Sequence, residues 1–375
     1  MKDVGTDSAR SAKPAGRATL LELAGAVLRG DLPPDDALMQ GSGEIAGQDA
    51  AREHWASTLN VWPEDLAAWT ATGAYTLRYG GPFRVEETLR YLARDPNNHA
   101  EQVQGSIYTR HFRLDGAERL VRLEIAEEGA RAAMHPPGPA TPDQWAPLHT
   151  LLTRQLGLGQ PLAEFYGAVA ERSVLAPWLE RLHGLRVPLV PTVWEGLCWA
   201  VVGQQINLAF AYKLRNALIT LGNGLPWDGT NRRPPEPLPF PNPQQVLAIA
   251  DDAWRPAQYS ARKSEYLRVI ARAFDEGQLS EEGLRAMDGD TLTETLSALK
   301  GVGPWTVNYV RLRSLGDMDA LPAGDAGLKN ALHRLHGLTA PPGPEEQTRL
   351  MEEFRPYRGL ATYYLWKILN ADRQD

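Results

Sequence analysis

Residues 299–309 read Leu299-Lys-Gly-Val-Gly-Pro-Trp-Thr-Val-Asn-Tyr309, a stretch that holds a helix end, a turn and a helix start. Just upstream, Thr291-Leu-Thr-Glu294 has the form of a capping box, in which a hydroxyl and a carboxylate satisfy the free N–H groups of a helix start. That helix is expected to run through Leu296 and Leu299 and to stop at Lys300-Gly-Val-Gly303. Pro304 suits the first turn of a second helix, which carries Trp305, Val307, Tyr309 and Val310 and ends near Gly316. Two helices therefore meet across a Gly-x-Gly hairpin. Gly301 and Gly303 allow backbone N–H groups to approach a ligand with no Cβ in the way, and the following helix start adds a positive dipole end. Such a turn grips a phosphate without net positive charge, and Lys300, Arg311 and Arg313 add a local basic supplement. A purely structural helix-helix turn fits the same residues, so the stretch alone leaves both readings open.

Composition limits what surrounds the hairpin. A chain of 375 residues with 43% apolar content can bury one large core or two to three modest ones. Its longest apolar run, Leu197 to Leu208, is interrupted by Gly203, Gln204, Gln205 and Asn207, too early for a membrane span. Lys2, Asp3, Asp7 and Arg10 precede the first apolar stretch at Leu20, against a secretory signal, so a cytoplasmic, nucleoid-associated location is expected. Cys198 is the only cysteine, which excludes an intramolecular disulfide and thiolate clusters, and the eight histidines show no metal-ligand spacing. No metal site built from side chains is expected. The formal charge of −7 opposes nonspecific coating of DNA, so any DNA binding has to come from a specific element.

Along the chain, residues 1–16 read as a disordered tail, and Ala18 to Ala74 carry short helical patterns broken by Pro33-Pro34 and Gly41-Ser42-Gly43. Residues 1–74 form an extension of unassigned role. Over 75–157 the pattern becomes that of a small α+β unit. Tyr75–Tyr79, Gly105–Leu114 and Arg119–Ile125 alternate as strands do, Val85–Leu92 has helical spacing, and Pro136–Pro142 makes a turn. From 158 to 375 the pattern is all helical, with a capping box at Thr192-Val-Trp-Glu195. A proline-rich surface loop over Leu225–Pro243 is the exception.

Together with Leu321-Pro-Ala-Gly-Asp-Ala-Gly-Leu-Lys329, the hairpin resembles the helix-hairpin-helix DNA glycosylases, most closely the bacterial 3-methyladenine DNA glycosylase II type. Further matching stretches are Trp199-Ala-Val-Val-Gly-Gln-Gln-Ile206 with Ala209 and Lys213, Phe240-Pro-Asn-Pro243, Arg262-Lys-Ser-Glu265, and Arg355-Pro-Tyr-Arg358 with Trp366. The likeness covers about Tyr75 to Trp366. It implies an α+β fold, with a small N-terminal antiparallel-sheet α+β domain followed by a mainly α-helical helix-hairpin-helix glycosylase domain.

The resemblance also implies a chemistry. Asp325 becomes the catalytic carboxylate, an anion that stabilises positive charge growing on the sugar as an N-glycosidic bond breaks, although a plain helix N-cap is its competing reading. Trp305 stands where bifunctional relatives hold a Schiff-base lysine, which implies a monofunctional enzyme. Trp305, Tyr309, Trp366 and Tyr91 would line a pocket for a flipped, cationic alkylated purine such as 3-methyladenine or 7-methylguanine. Lys300, Gly301, Val302, Gly303 and Thr306, with Gln204 and Gln205, would contact DNA, Gln205 standing where the family fills the vacated base stack. Ala326 replaces a bulky aromatic of the family type, which suggests a roomier pocket. No cofactor is required, while carbonyls of Ser297, Leu299 and Val302 would suit a monovalent or magnesium ion as in relatives. The expected partner is double-stranded DNA with damaged bases, bound by a monomer. Excision of oxidised or deaminated bases, or lesion binding without catalysis, are the alternatives.

Overall fold

The computed structural model describes residues 13–371 apart from 44, 46, 170 and 172, so the expected tail lies outside the described residues as far as residue 12. Four helices come first: α1 (Arg17–Arg29), α2 (Pro34–Ser42), α3 (Gln48–Leu59) and the single turn α4 (Trp69–Thr72). They lead into β1 (Ala74–Leu77), α5 (Val85–Leu92), β2 (Glu101–Gln104), β3 (Ile107–Leu114), β4 (Ala117–Ala126) and β5 (Gly129–His135), closed by α6 (Pro142–Gln155). The five strands form one antiparallel sheet in the order β1-β5-β4-β3-β2. Along β3, Tyr108, Arg110, Phe112 and Leu114 point to the buried face, the period-two pattern of a half-buried strand.

That face is covered by the helices expected to form a separate extension. Leu20, Leu38, Trp55, Leu59 and Trp69 share one core with Tyr108, Leu123, Trp145 and Leu148. Trp69 also donates its indole N–H to the Thr141 carbonyl at 2.8 Å. The boundary expected at 74/75 is therefore corrected: the helices between 17 and 72 belong to the first domain, because a single sheet needs a layer against its apolar face. Two strands were not expected from sequence. β2 is Glu-Gln-Val-Gln, polar throughout except Val103, and β5 is built mainly from small residues, so neither shows the branched alternation of a strand.

The second unit is helical throughout the described residues: α7 (Leu162–Ala168), α8 (Ala176–Leu179), α9 (Val193–Gly203), α10 (Leu208–Gly222), α11 (Pro243–Leu247) and α12 (Ala261–Asp275). It continues with α13 (Glu281–Ala286), α14 (Gly289–Ser297), α15 (Pro304–Val310), α16 (Ala326–Leu335), α17 (Pro344–Met351) and α18 (Arg358–Ala371). Helix α15 runs on into a wider turn over Arg311–Leu315 that Gly316 ends at φ 79°. One core gathers α9 to α15, and another gathers α7, α16, α17 and α18. The loop between Gly222 and Pro243 contains no regular element and packs on the first domain, where Leu238 donates its N–H to the His99 carbonyl at 2.7 Å.

Both expected capping boxes are modified. Thr192 caps α9 by accepting from the Glu195 N–H at 3.0 Å, but the Glu195 carboxylate turns away to Arg110 and Arg215. Helix α14 starts before Thr291, capped by Asp288, which accepts from the N–H groups of Asp290 and Thr291. Thr291 spends its hydroxyl on Asp288 because an aspartate at the N-cap outcompetes it for the free N–H groups.

The two units are joined by a buried ion cluster. Arg110 of β3 reaches Glu195 at 2.9 Å, Arg215 of α10 reaches the same carboxylate at 2.8 Å, and Glu101 of β2 lies within 3.6 Å of both arginines. None of the four side chains is more than 8% exposed. Burial alone would raise the Glu101 carboxyl, yet Arg110, Arg215 and Arg94 outweigh it and hold it at about 2. No helix of the described residues is long and apolar enough to cross a membrane.

Candidate active site

The hairpin closes between α14 and α15, with the Val302 N–H donating to the Leu299 carbonyl at 3.1 Å. Gly301 sits at φ 91°, and a Cβ there would fall 2.3 Å from the ring of Tyr266 on α12. Only glycine fits this corner. Gln204, at the end of α9, donates its amide to the Gly301 carbonyl at 2.8 Å and approaches the Thr306 hydroxyl at 3.4 Å. Lys263 in turn caps the C-terminus of α9, donating to the carbonyls of Val201, Val202 and Gln204 at 3.1, 2.8 and 2.7 Å. The α9–α10 turn and the hairpin are thus one clamped assembly.

That clamping changes the expected roles of several residues. Thr306 is 2% exposed, so its side chain braces the hairpin from inside instead of facing DNA. Gln204 is likewise committed to the hairpin backbone. Gln205 stands exposed in this turn at φ 56°, as does Asn207, and Leu208 is 58% exposed at the first position of α10. Of the three basic residues expected to supplement the hairpin, Lys300 is on the surface, paired with Glu265 at 2.6 Å. Arg311 is held by Asp317 at 2.7 Å, and Arg313 is 2% exposed and points inward.

Asp325 caps a helix and is held between two indoles. Its Oδ1 accepts from the Leu328 N–H at 2.8 Å, which starts α16, and from the Trp366 indole N–H at 2.8 Å. Its Oδ2 accepts from the Trp305 indole N–H at 3.3 Å. The competing readings of this residue are compatible, because one oxygen serves the cap while the carboxylate as a whole lies between two indoles from α15 and α18. Gly327 makes the arrangement possible: a Cβ there would lie 2.9 Å from the Trp366 ring and 3.1 Å from Oδ1 of Asp325. Ala326, between them, is exposed.

The remaining aromatics extend from this carboxylate in two directions. Trp305 stacks on Tyr309, centroids 5.3 Å apart and planes at 27°. Trp366 meets Tyr363 edge-on at 6.5 Å, and Tyr363 meets Tyr91 of α5 edge-on at 6.1 Å. Tyr91 and Tyr309 then face a common recess that also holds Arg94, Gln155 and Trp199. Tyr309 and Tyr91 therefore share one recess, the first domain contributing Tyr91, while Trp305 and Trp366 hold Asp325 and join this recess through their ring contacts with Tyr309 and Tyr363. Burial pushes the Tyr309 hydroxyl up, so it stays protonated near neutral pH.

Sequence reasoning missed Gly327, Tyr363 and the inward turn of Arg313. Tyr363 precedes Trp366 by one helical turn and shares its face, a detectable signal. Gly327 offered only the oddity of a glycine in a first helical turn. Among the described residues no group of His, Cys, Asp or Glu side chains is placed to hold a metal ion.

Comparison with known proteins matches residues 198–356 to the model of the HhH-GPD superfamily base excision DNA repair proteins. The DNA-3-methyladenine glycosylase of Bacillus subtilis (strain 168) is 28% identical over 290 residues, which span 76% of this chain and 94% of the relative. DNA-3-methyladenine glycosylase 2 of Escherichia coli (strain K12) is 30% identical over 298 residues, 78% of this chain and 96% of the relative. Among solved structures, a 3-methyladenine DNA-glycosylase from Archaeoglobus fulgidus superposes with a TM-score of 0.66 over 79% of this chain and 98% of its own. At 22% identity that likeness concerns the fold.

Proposed function

The chain belongs to the HhH-GPD superfamily of base excision DNA repair proteins, and on that footing we propose that it is a monofunctional DNA glycosylase releasing N-alkylated purines from duplex DNA. The observation that carries the reading is the Asp325 carboxylate held by two indole N–H groups at 2.8 and 3.3 Å, the rings of which pack on Tyr363 and Tyr309. Fixed donors orient the anion before the reaction, so it stabilises a cationic sugar without reorganising as charge develops. An alkylated purine carries positive charge, and electron-rich ring faces suit it by roughly 0.5–2 kcal/mol per contact.

In this reading the hairpin N–H groups and Lys300 hold the DNA backbone, and the damaged nucleotide swings into the cleft. Gln205 and Leu208, exposed beside the clamped hairpin, fill the space it leaves. The C1′–N bond then breaks with its electron pair leaving on the base, which neutralises the alkylated ring. Water adds to C1′ and gives up a proton to Asp325 or to solvent. Only water is consumed. Trp305 presents an indole where a Schiff base would need an amine, so the strand stays intact at an abasic site. Every group named comes from one chain, so a monomer suffices.

Asp325→Asn tests the reading directly. It keeps the helix-cap acceptor and duplex binding while base release falls by at least about a hundredfold. Full release of methylated purines by that variant would remove Asp325 from the mechanism, and strand scission by the unmodified protein would refute the monofunctional assignment.

A further inference from the structure

Arg313 is the unexplained charge of this region. It is 2% exposed, no carboxylate pairs with it among the described residues, and its Nε has no hydrogen-bond partner. Its Nη2 donates to the Pro188 carbonyl at 2.8 Å and to the hydroxyl oxygen of Tyr91. The guanidinium lies 5.1 Å from the Tyr91 ring and 5.4 Å from that of Tyr363. Arg94 covers the Tyr91 ring at 4.0 Å. Burying an unpaired cation is costly, so a fold that keeps one has two guanidinium groups acting on the same tyrosine.

The hydrogen bond settles the polarity of that tyrosine. A phenol oxygen that accepts from a guanidinium keeps its own proton for donation, and the adjacent cation strengthens it as a donor. No described residue accepts that proton. The Tyr91 ring meets Tyr363, Tyr363 meets Trp366, and Trp366 donates to Asp325, so a run of aromatic rings links this tyrosine to the carboxylate.

We propose that Tyr91 donates a hydrogen bond to the flipped base, with Arg313 as the positioning residue that fixes it in this role, and that the cleft thereby favours a purine bearing a carbonyl acceptor. The chemistry is consistent with that polarity. When the C1′–N bond breaks, its electron pair moves onto the base, and a carbonyl oxygen conjugated with the ring becomes a better acceptor. A donor aimed at it is worth more in the transition state than in the ground state.

This assignment rests on the base-release reading of the same site, and the test separates the two. Single-turnover release is measured from duplexes carrying either 7-methylguanine or 7-methyl-2-aminopurine, the corresponding base without the carbonyl. The quantity read is the ratio of the two rates. In Tyr91→Phe, which keeps the ring and its packing, the ratio falls roughly tenfold because only the carbonyl-bearing base loses its donor. Arg313→Met lowers the same ratio, and adds nothing to it in the Tyr91→Phe background. A ratio unchanged by Tyr91→Phe, or an equal loss on both bases, overturns the assignment and leaves base release standing. Failure of the unmodified protein to release either base overturns the base-release reading and this assignment with it.

Discussion

The candidate site turns on a residue that has no side chain. Asp325 was legible in the sequence because its distance from the hairpin and its resemblance-bearing neighbours set it apart, and the two tryptophans were legible for the same reason. Gly327 was not, since nothing in a string of letters reveals that Trp366 will lean over the first turn of α16. The structure makes its role specific: a methyl group there would stand 2.9 Å from the indole and 3.1 Å from the Asp325 oxygen. Gly327→Ala should therefore push the indole away from the carboxylate. An alanine in a helical turn stabilises by roughly 0.5–1 kcal/mol over glycine, which offsets the shift the half-buried position demands, while a catalytic group displaced by about 1 Å costs up to about a hundredfold in rate. The expected outcome is a melting temperature equal to or above that of the unmodified protein with base release reduced at least tenfold. Unchanged single-turnover rates would show that Trp366 is free to move without consequence for Asp325.

At the scale of elements, local rules located the helices and missed what joins them. The start at Pro304 was readable from residue types, as was the helix at Val85–Leu92, because propensity and period agree there, whereas α14 ends at Ser297, short of the expected Leu299. The polar strand β2 and the small-residue strand β5 were not, since their pairing is decided by neighbours in the sheet. The brace between hairpin and α9 was likewise hidden: Gln204 and Thr306 looked like DNA contacts and are internal ties. Their effect is to tie the Gly301 carbonyl to α9 where Gly301 packs against the Tyr266 ring. Gly301→Ala would suffer twice, from a left-handed φ costing roughly 1–2 kcal/mol and from a methyl placed 2.3 Å from the Tyr266 ring. On the proposed role of the hairpin, gripping backbone and not base, duplex affinity should fall at least tenfold for lesion-bearing and lesion-free DNA alike. Gel-shift titration at one fixed salt concentration checks this, and a loss confined to lesion-bearing duplexes would refute backbone gripping as the hairpin's role.

For the whole molecule, the decisive relation is between a first domain that supplies Tyr91 and a second that supplies Asp325, Trp305, Tyr309 and Trp366. Their joint rests on Glu101, Arg110, Glu195 and Arg215, and the first domain itself is held by His149. The helix α6 carries this imidazole into the core, where Nε2 meets the Leu59 carbonyl of α3 at 2.6 Å and Nδ1 meets the Tyr75 hydroxyl of β1 at 3.3 Å. Trp145 stacks on it at 4.7 Å. Burial lowers its pKa from 6.5 to about 4, against a smaller opposing effect of the Leu59 carbonyl. Between those values the unfolded chain binds a proton that the folded chain refuses, so stability rises with pH through that window. The contribution is complete above about pH 6.5 and is lost progressively as the pH falls toward 4, amounting to at most about 3 kcal/mol. Glu101 acts in a separate, more acidic window, because its carboxyl is held at about 2 against an ordinary value of 4.5. Urea unfolding between pH 7 and pH 4.5 leaves Glu101 ionised in the folded protein, and comparison with a His149 variant subtracts the like-signed contributions of His99 and His111, whose pKa values burial also lowers. His149→Gln keeps a donor for the Leu59 carbonyl and removes the titrating group. The variant should show a flatter dependence of stability on pH, with the difference from the unmodified protein opening near neutral pH and closing toward pH 4.5. Parallel curves for the two proteins would mean that the imidazole is not refused its proton, and that the junction of α3, β1 and α6 opens to water well before the first domain unfolds.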